Sequence, residues 1–279
     1  MRKHILVGID ETPESQVALH WAVGAAQGRG LPVRVIRAFL NELQRWPGTA
    51  LEGYVPPEVP RKKFQRQLDE AVEYARDRLG YDGASGWLAQ EDPATAILTE
   101  APAAELVVLG SRSPNKLSAA FLGSVATAVA AKAPCPVVVV RHPRRTGSIV
   151  VGVDGSELSE DALAFAFEEA ERTGQPVKAV HCWQPAEEAG APATRQLREV
   201  WLADSLAPYE EKYPAVRARA YVVGDRPSVV LTDMSASASL VVVGSRGRGG
   251  VAGLLLGSVS QSLLHHAQSP VAIVRGGAG

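Results

Sequence analysis

The chain has 279 residues, 46% hydrophobic and 21% charged, a balance that excludes a disordered or fibrous protein. Its 29 basic and 30 acidic residues nearly cancel, so we expect no nucleic-acid partner. With only two cysteines, Cys135 and Cys182, a disulfide framework is excluded and a cytoplasmic location is favoured. No signal-peptide core precedes the first apolar segment, and the uncharged stretch 249–274 is too polar to predict a membrane span.

Short apolar segments alternate with helical patterns along the first half of the chain. The later strand segments are continuous runs rich in β-branched residues, which are typical of strands buried on both faces. The helical segments carry apolar side chains at helical spacing. In chain order, the predicted strands are residues 5–9, 33–39, 106–109 and 137–140, and the predicted helices are residues 15–27 and 63–79.

The second half of the chain repeats the first. Residues 149–154, Ile-Val-Val-Gly-Val-Asp, correspond to residues 5–10, Ile-Leu-Val-Gly-Ile-Asp. The joint between the copies, residues 141–148, is short and contains proline and glycine. We therefore predict two domains of one kind, spanning residues 1–143 and 144–279.

Strands that alternate with helices predict an α/β fold built from βαβ units. For each domain we expect five parallel strands in the order 3-2-1-4-5, with helices on both faces. Ligands of such sheets bind beyond the carboxyl ends of the strands where the strand order reverses, here between strands 1 and 4. Strand 1 ends at Asp10 or Asp154, and strand 4 ends at Gly110 or Gly244.

In the second copy, strand 4 is followed by a glycine-rich loop whose spacing suits an anion. Gly244 and Gly247 are followed by Gly257 and Ser258. Glycines permit positive φ and a close backbone approach, and successive amides form an anion-binding concavity. Ser258 opens a predicted helix whose dipole attracts negative charge, and Arg246 adds positive charge.

This order of motifs resembles the nucleotide-binding signature of the universal stress protein family, in its ATP-binding branch, over nearly the whole chain. The resemblance rests on Val-Gly-Val-Asp-Gly-Ser at 151–156, on the glycine loop, and on the closing Ser-Pro-Val-Ala-Ile-Val at 269–274. It implies a Rossmann-like fold of the adenine nucleotide alpha hydrolase-like (HUP) type, ATP as ligand, a cytoplasmic location and pairing through the last strands. It also implies that Asp154 lies near the adenosine, with the loop and Gly257-Ser258 around the ribose and phosphates.

The predicted ATP site therefore has two copies. In the second domain it comprises Gly152, Val153, Asp154, Gly244, Ser245, Arg246, Gly247, Gly257, Ser258 and Val259. In the first domain it comprises Gly8, Ile9, Asp10, Gly110, Ser111, Arg112, Ser113, Gly123, Ser124 and Val125. The first copy departs from the pattern at Ser113, where the second carries Gly247. If this position needs positive φ, serine costs about 1 kcal/mol, and Pro114 restricts it further, so binding in the first domain is expected to be weaker.

Other interpretations of these residues stay open. Residues 247–252 fit the dinucleotide pattern G-x-G-x-x-A, although they follow the fourth strand, not the first. Asp10 and Asp154 also suit helix N-caps. Cys135 and Cys182 are predicted to be packing residues.

The resemblance implies a nucleotide-dependent sensor or regulator of a stress response, and no nucleophile–base pair is recognisable that would indicate an enzyme. The protein would supply no metal ligand, and Mg²⁺ would be held through the phosphates. One alternative is a slow ATP hydrolase or a nucleotidyl or phosphoryl transferase, and another is a nucleotide-free dimeric interaction module. The strand edges at 137–140 and 271–274 predict pairing, either in a homodimer or within one chain as a pseudo-dimer. A regulatory protein partner of unspecified identity is also expected.

Overall fold

The computed structural model describes residues 3–40, 61–111, 122–142, 146–183, 192–249 and 255–276, without the side chains of 192–194. The strands are β1 (His4–Ile9), β2 (Val33–Ala38), β3 (Ala84–Ala89), β4 (Ala104–Gly110), β5 (Val137–Val140), β6 (Ser148–Gly152), β7 (Val177–Cys182), β8 (Ala218–Val223), β9 (Ala238–Gly244) and β10 (Val271–Val274). The helices are α1 (Pro13–Arg29), α2 (Arg61–Leu79), α3 (Pro93–Glu100), α4 (Ser124–Lys132), α5 (Glu157–Thr173), α6 (Pro192–Lys212), α7 (Pro227–Ser235) and α8 (Ser258–His266). Within these ranges, no helix combines the length and apolar character needed to span a bilayer.

One ten-stranded sheet runs through both halves of the chain, in the order β3-β2-β1-β4-β5-β10-β9-β6-β7-β8. Among the described strands, neighbours are parallel within each half, and only the central pair, β5 and β10, is antiparallel. Each half therefore has the predicted order 3-2-1-4-5. The predicted α/β fold of two tandem Rossmann-like units is confirmed.

Helices cover both faces of the sheet, which explains why its central strands are apolar at every position. In β5 all four valines are at most 3% exposed. Val138 and Val140 belong to the core layer on one face, while Val137 and Val139 belong to the layer on the other. Because successive side chains of a strand point to opposite faces, a strand covered on both sides needs this continuous run.

The long helices α1 and α5 follow the first strand of each half and end in the same way. Both begin after a hydroxyl residue at the N-cap, Thr12 or Ser156. Both end at a glycine in the left-handed conformation, Gly30 with φ of +63° and Gly174 with φ of +68°. Only glycine adopts this conformation without steric cost, so these two glycines stop the helices and redirect the chain into β2 and β7.

The two halves meet at β5 and β10, where Val138 pairs with Ala272 and Val139 with Val271. The edge strand of each half, β5 or β10, is therefore covered by the edge strand of the other half of the same chain. Of the two predicted pairing modes, the structure contains the intramolecular pseudo-dimer. The open edges of the sheet are β3 and β8, at its far ends.

A buried group of ions also joins the halves where α1 meets α5. The carboxylate of Glu169 in α5 is 2% exposed and bonds to Arg29 of α1 and to Arg172 of its own helix. Burial and the neighbouring Arg172 lower the pKa of Arg29 to about 10. One buried carboxylate thus pairs with two guanidinium groups, one from each half.

Candidate functional site

A cavity of about 330 Å³ opens at the carboxyl ends of β6 and β9, the neighbouring strands at which the strand order of the second half reverses. All residues predicted for the second-domain site line it except Ser245. The predicted residues that line the cavity are Gly152, Val153, Asp154, Gly244, Arg246, Gly247, Gly257, Ser258 and Val259. Asp154 and Gly244 lie about 90 residues apart in the sequence, and the parallel sheet brings their segments together.

Asp154 follows β6 and forms a tight turn into α5. Its Oδ1 accepts hydrogen bonds from the Ser156 backbone N–H at 3.0 Å and from the Ser156 hydroxyl at 2.6 Å. Ser156 is the N-cap of α5, so Asp154 holds the cap residue and is not itself the cap. Asp10 accepts from the backbone N–H of Thr12, the N-cap of α1, at 2.8 Å. The interpretation of these aspartates as N-caps is therefore wrong.

The second carboxylate oxygen of Asp154 holds the glycine loop. The backbone N–H of Arg248 donates to Oδ2 at 2.8 Å. A Cβ atom on Gly247 would lie 2.3 Å from the same oxygen, so a side chain there would force the carboxylate or the loop to move. Gly247 is not among the described glycines with positive φ, so the conformational reason expected for a glycine here is wrong. Its close approach to the Asp154 carboxylate is what requires glycine.

These contacts keep Asp154 charged and leave positive groups beside it. Partial burial alone would raise the pKa of Asp154, but hydrogen bonds from Ser156 and from the Arg248 amide outweigh burial and lower it below 3.8. The guanidinium of Arg248 lies 3.5 Å from the Gly155 carbonyl oxygen. The side chain of Arg246 is exposed where its residue lines the cavity, so the loop presents positive charge to an incoming anion.

Gly244 and Gly110, at the ends of β9 and β4, are needed for helix packing. A Cβ atom on Gly244 would lie 2.9 Å from the carbonyl oxygen of Leu158 in the first turn of α5. A Cβ atom on Gly110 would lie 2.9 Å from the carbonyl oxygen of Glu14 in α1. Both glycines let a helix approach the end of a strand, a role that does not depend on a ligand.

Helix α8 contributes its N-terminus to the cavity through Ser258 and Val259. Its N-cap, Gly257, offers no side-chain cap, so within the described residues no capping side chain occupies the first-turn N–H groups. The Gly257 N–H donates to the Ser245 carbonyl at 2.8 Å, and the Ser245 N–H donates to the Val274 carbonyl at 2.7 Å. Ser245 is 2% exposed and supports the loop from behind. The open end of α8 has the polarity that binds an anion.

Part of the cavity lining is apolar, and sequence reasoning missed it. Val180 lies near the carboxyl end of β7, Pro227 and Leu231 belong to α7, and Val243 belongs to β9. In the sequence these residues look like any other core positions. The one feature of the sequence that could have indicated Val180 and Val243 is that their strands, β7 and β9, end at the same edge of the sheet as β6.

Cys182, predicted to be a packing residue, also lines the cavity. It is half-buried at the end of β7. Burial and the nearby carboxylate of Asp225 raise the pKa of its thiol to about 11. The thiol is therefore protonated at neutral pH and contributes an apolar, polarisable surface to the cavity.

His181 lies directly behind the Asp154 turn and was also missed. Its Nε2 lies 3.1 Å from the guanidinium of Arg198, which can only donate, so Nε2 accepts and Nδ1 carries the proton. Nδ1 then donates to the Val153 carbonyl at 2.8 Å. The imidazole packs edge-on against Trp201 with ring centroids 4.9 Å apart. Burial lowers the pKa of His181, so the ring is neutral at pH 7 and links α6 to the end of β6.

The first domain repeats this framework as far as the structure describes it. The Ser111 N–H donates to the Val140 carbonyl at 3.1 Å, and the Gly123 N–H donates to the Ser111 carbonyl at 2.9 Å, as in the second domain. The predicted residues in the described part are Gly8, Ile9, Asp10, Gly110, Ser111, Gly123, Ser124 and Val125, whereas Arg112 and Ser113 lie outside it. Ser113 corresponds to Gly247, where the second domain leaves no room for a Cβ atom.

Both halves of the chain match one family profile, described as the universal stress protein family, over residues 1–141 and 146–275. A universal stress protein of Mycobacterium tuberculosis is 37% identical, covering 97% of this chain and 96% of that protein. One of Mycolicibacterium smegmatis is 32% identical, with the same coverage of 97% and 96%. A solved universal stress protein of Archaeoglobus fulgidus shares the fold, with a TM-score of 0.70 at 19% identity over 99% of this chain and 97% of that chain.

Proposed function

Because the chain belongs to the universal stress protein family, we propose that its second domain binds ATP in the cavity between β6 and β9 and that the protein acts as a nucleotide-dependent regulator of a stress response. The observation that carries this proposal is the two-part character of the cavity. Apolar residues from β7, α7 and β9 meet the open N-terminus of α8 and the exposed Arg246. A nucleotide has the same two parts, a flat base with little charge and an anionic phosphate chain.

The lining supports binding more than turnover. Among the lining residues that the structure describes, Asp154 is the one carboxylate, and both of its oxygens already accept hydrogen bonds from the protein. Its lowered pKa makes it a poor proton acceptor at neutral pH. No three His, Cys, Asp or Glu of the described ranges cluster as metal ligands, so Mg²⁺ would be held through the nucleotide phosphates. We therefore place the protein's function in nucleotide-dependent conformation and partner binding.

We propose that the two domains bind nucleotide unequally. In the second domain Gly247 lets the loop close onto Asp154 and the amide of Arg248 join the carboxylate. In the first domain Ser113 stands at the equivalent place in the sequence, so that domain lacks the glycine on which the close contact in the second domain depends. This difference supports a weaker or empty first site.

We further propose that the chain functions as a pseudo-dimer whose domains extend over residues 1–143 and 144–279. The antiparallel pairing of β5 with β10 supports this arrangement, because it uses the strand edge that a second copy would need. The free thiols of Cys135 and Cys182 favour a cytoplasmic location, where a regulatory protein partner would meet it.

The test is the nucleotide that the purified protein carries. The protein is denatured, the released nucleotide is identified by chromatography, and moles of nucleotide are counted per mole of chain. A ratio near one, or binding heat for one Mg-ATP per chain after stripping, supports a competent second domain. A ratio near two would refute the inequality of the domains. A ratio of zero without binding heat would refute the nucleotide proposal and favour a nucleotide-free interaction module.

A further inference from the structure

Two arginines cross the seam between the domains in opposite directions. Arg141 directly follows β5, and Arg275 directly follows β10. The Nη2 atom of Arg141 donates to the Leu264 carbonyl at 2.7 Å, and that of Arg275 donates to the Ala131 carbonyl. Leu264 lies in the last turn of α8 and Ala131 in the last turn of α4. Each guanidinium therefore satisfies a carbonyl at the C-terminus of a helix in the other domain, where positive charge is favourable.

Arg275 makes a further contact within its own domain. The same Nη2 atom donates to the Leu255 carbonyl at 2.8 Å. Leu255 is followed by Leu256 and Gly257, both of which line the cavity, and α8 begins one residue later. One guanidinium thus bridges the entrance of the phosphate-binding helix of the second domain and the end of α4 in the first.

The backbone beside Arg275 belongs to the same support. The carbonyl of Val274 accepts from Ser245, whose own carbonyl accepts from the Gly257 N–H and, at 2.9 Å, from the Ser260 hydroxyl. Burial and the nearby Arg246 lower the pKa of Arg275. An anion bound at Arg246 would therefore be felt at Arg275, because it would relieve the repulsion between the two guanidinium groups.

We infer that Arg275 is a positioning residue for the nucleotide of the second domain, clamping Leu255 at the entrance of α8 to Ala131 at the end of α4. The inference rests on the proposed function, since it assigns a support to that same site. Its consequence is that the second-domain cavity depends on the first domain for its shape.

The first test compares Arg275→Met with Arg141→Met in the full chain, using Mg-ATP as the probe in calorimetry. Methionine keeps an apolar stem and removes the donors. Arg275→Met is expected to weaken binding to the second domain about tenfold, the factor that one hydrogen bond to a charged group is worth. Arg141→Met removes the equivalent seam contact at the far end of α8 and is expected to leave the affinity within about twofold, since end effects fade within a turn. Equal losses in both variants would show a general effect of the seam and overturn the inference.

A lysine at position 275 provides the rescue control. Its ammonium group retains the charge and several donors on one nitrogen, but the lysine side chain reaches less far than that of arginine. Arg275→Lys is expected to recover part of the affinity that methionine loses. If lysine recovers nothing although the variant melts like the unaltered protein, the charge at this position does not position the loop.

Hydrogen exchange on the ligand-free chain separates this inference from the proposed function. Arg275→Met should speed exchange of the Gly257 and Gln261 amides at the start of α8 and of the Ala133 amide at the end of α4. Arg141→Met should instead speed exchange of the Ala267 amide at the end of α8. If no form of the protein binds Mg-ATP, the nucleotide proposal fails while these amides still report on the clamp. Unchanged exchange at Gly257 and Gln261 in Arg275→Met would overturn the clamp itself.

Discussion

Replacing Gly247 by serine, the residue that the first domain carries at the equivalent position, is expected to weaken Mg-ATP binding about tenfold. A Cβ atom at 247 would lie 2.3 Å from Asp154 Oδ2, so the loop and the carboxylate must separate by about 1 Å to restore ordinary contact. That separation breaks the bond from the Arg248 N–H to Oδ2, which measures 2.8 Å. A hydrogen bond to a charged group is worth about 1.5–3 kcal/mol, and the lower value applies because this bond is exposed. About 1.4 kcal/mol corresponds to a factor of ten in affinity.

The assay is calorimetric titration of the nucleotide-stripped protein, with Gly249→Ser as the matched control. Gly249 also lines the cavity, two residues along the same loop, but a Cβ atom there meets no atom of the described residues within 4 Å. Gly249→Ser is therefore expected to bind Mg-ATP with nearly unchanged affinity. If Gly247→Ser binds as tightly as Gly249→Ser, the Asp154 contact does not shape the cavity and the physical reason offered for the unequal domains is wrong.

Three further predictions concern other parts of the molecule. Glu169→Gln removes the carboxylate that pairs with the partly buried guanidinium groups of Arg29 and Arg172. The loss should cost about 3 kcal/mol of unfolding free energy in a denaturant titration. An unchanged midpoint would contradict a stabilising role for this ion group. Burial raises the pKa of the Cys182 thiol to about 11, so this thiol should react slowly with iodoacetamide at pH 8, and bound Mg-ATP should slow the reaction further. The pKa of the Cys135 thiol is also raised to about 11, but Mg-ATP should not change its reaction rate. Equal protection of both thiols would place the nucleotide elsewhere. Burial lowers the pKa of His181 in the folded protein, so the stability that its neutral ring contributes is present above the unfolded-state pKa of about 6.5 and is lost as the pH falls below that pKa. His181→Gln should flatten this part of the curve of stability against pH. An unaltered curve would assign the loss of stability to other groups.

Local patterns were sufficient to predict most of the fold. The continuous apolar runs at 106–109 and 137–140 predicted buried strands, and the structure places them in β4 and β5. The helical spacing over 63–79 predicted the helix observed as α2 (Arg61–Leu79). These predictions succeeded because each depends on the pattern of apolar residues along the chain, which a sequence displays directly. The repeat then extended the topology of one half to the other.

The candidate site was predicted in outline for the same reason. Strand ends and glycine spacing located Asp154, Gly247 and Ser258, which the structure brings to one cavity. The reason for Gly247 was wrong, because positive φ is a local property whereas contact with a carboxylate far away in the chain is not. The apolar lining, including Cys182, was missed because a residue that lines a cavity and one that fills a core have the same local pattern.

The amino-acid sequence by itself determined the repeated βαβ architecture, the edge of the sheet that carries the site and the family to which the chain belongs. Only the tertiary structure decided how the two halves combine. The same valine-rich strand edge could pair with a second copy or within the chain, and the antiparallel pairing of β5 with β10 selects the second. It also decided which groups cross the seam, such as Arg275 at the Leu255 and Ala131 carbonyls. These contacts join residues distant in the chain, and no local propensity encodes a distance between them.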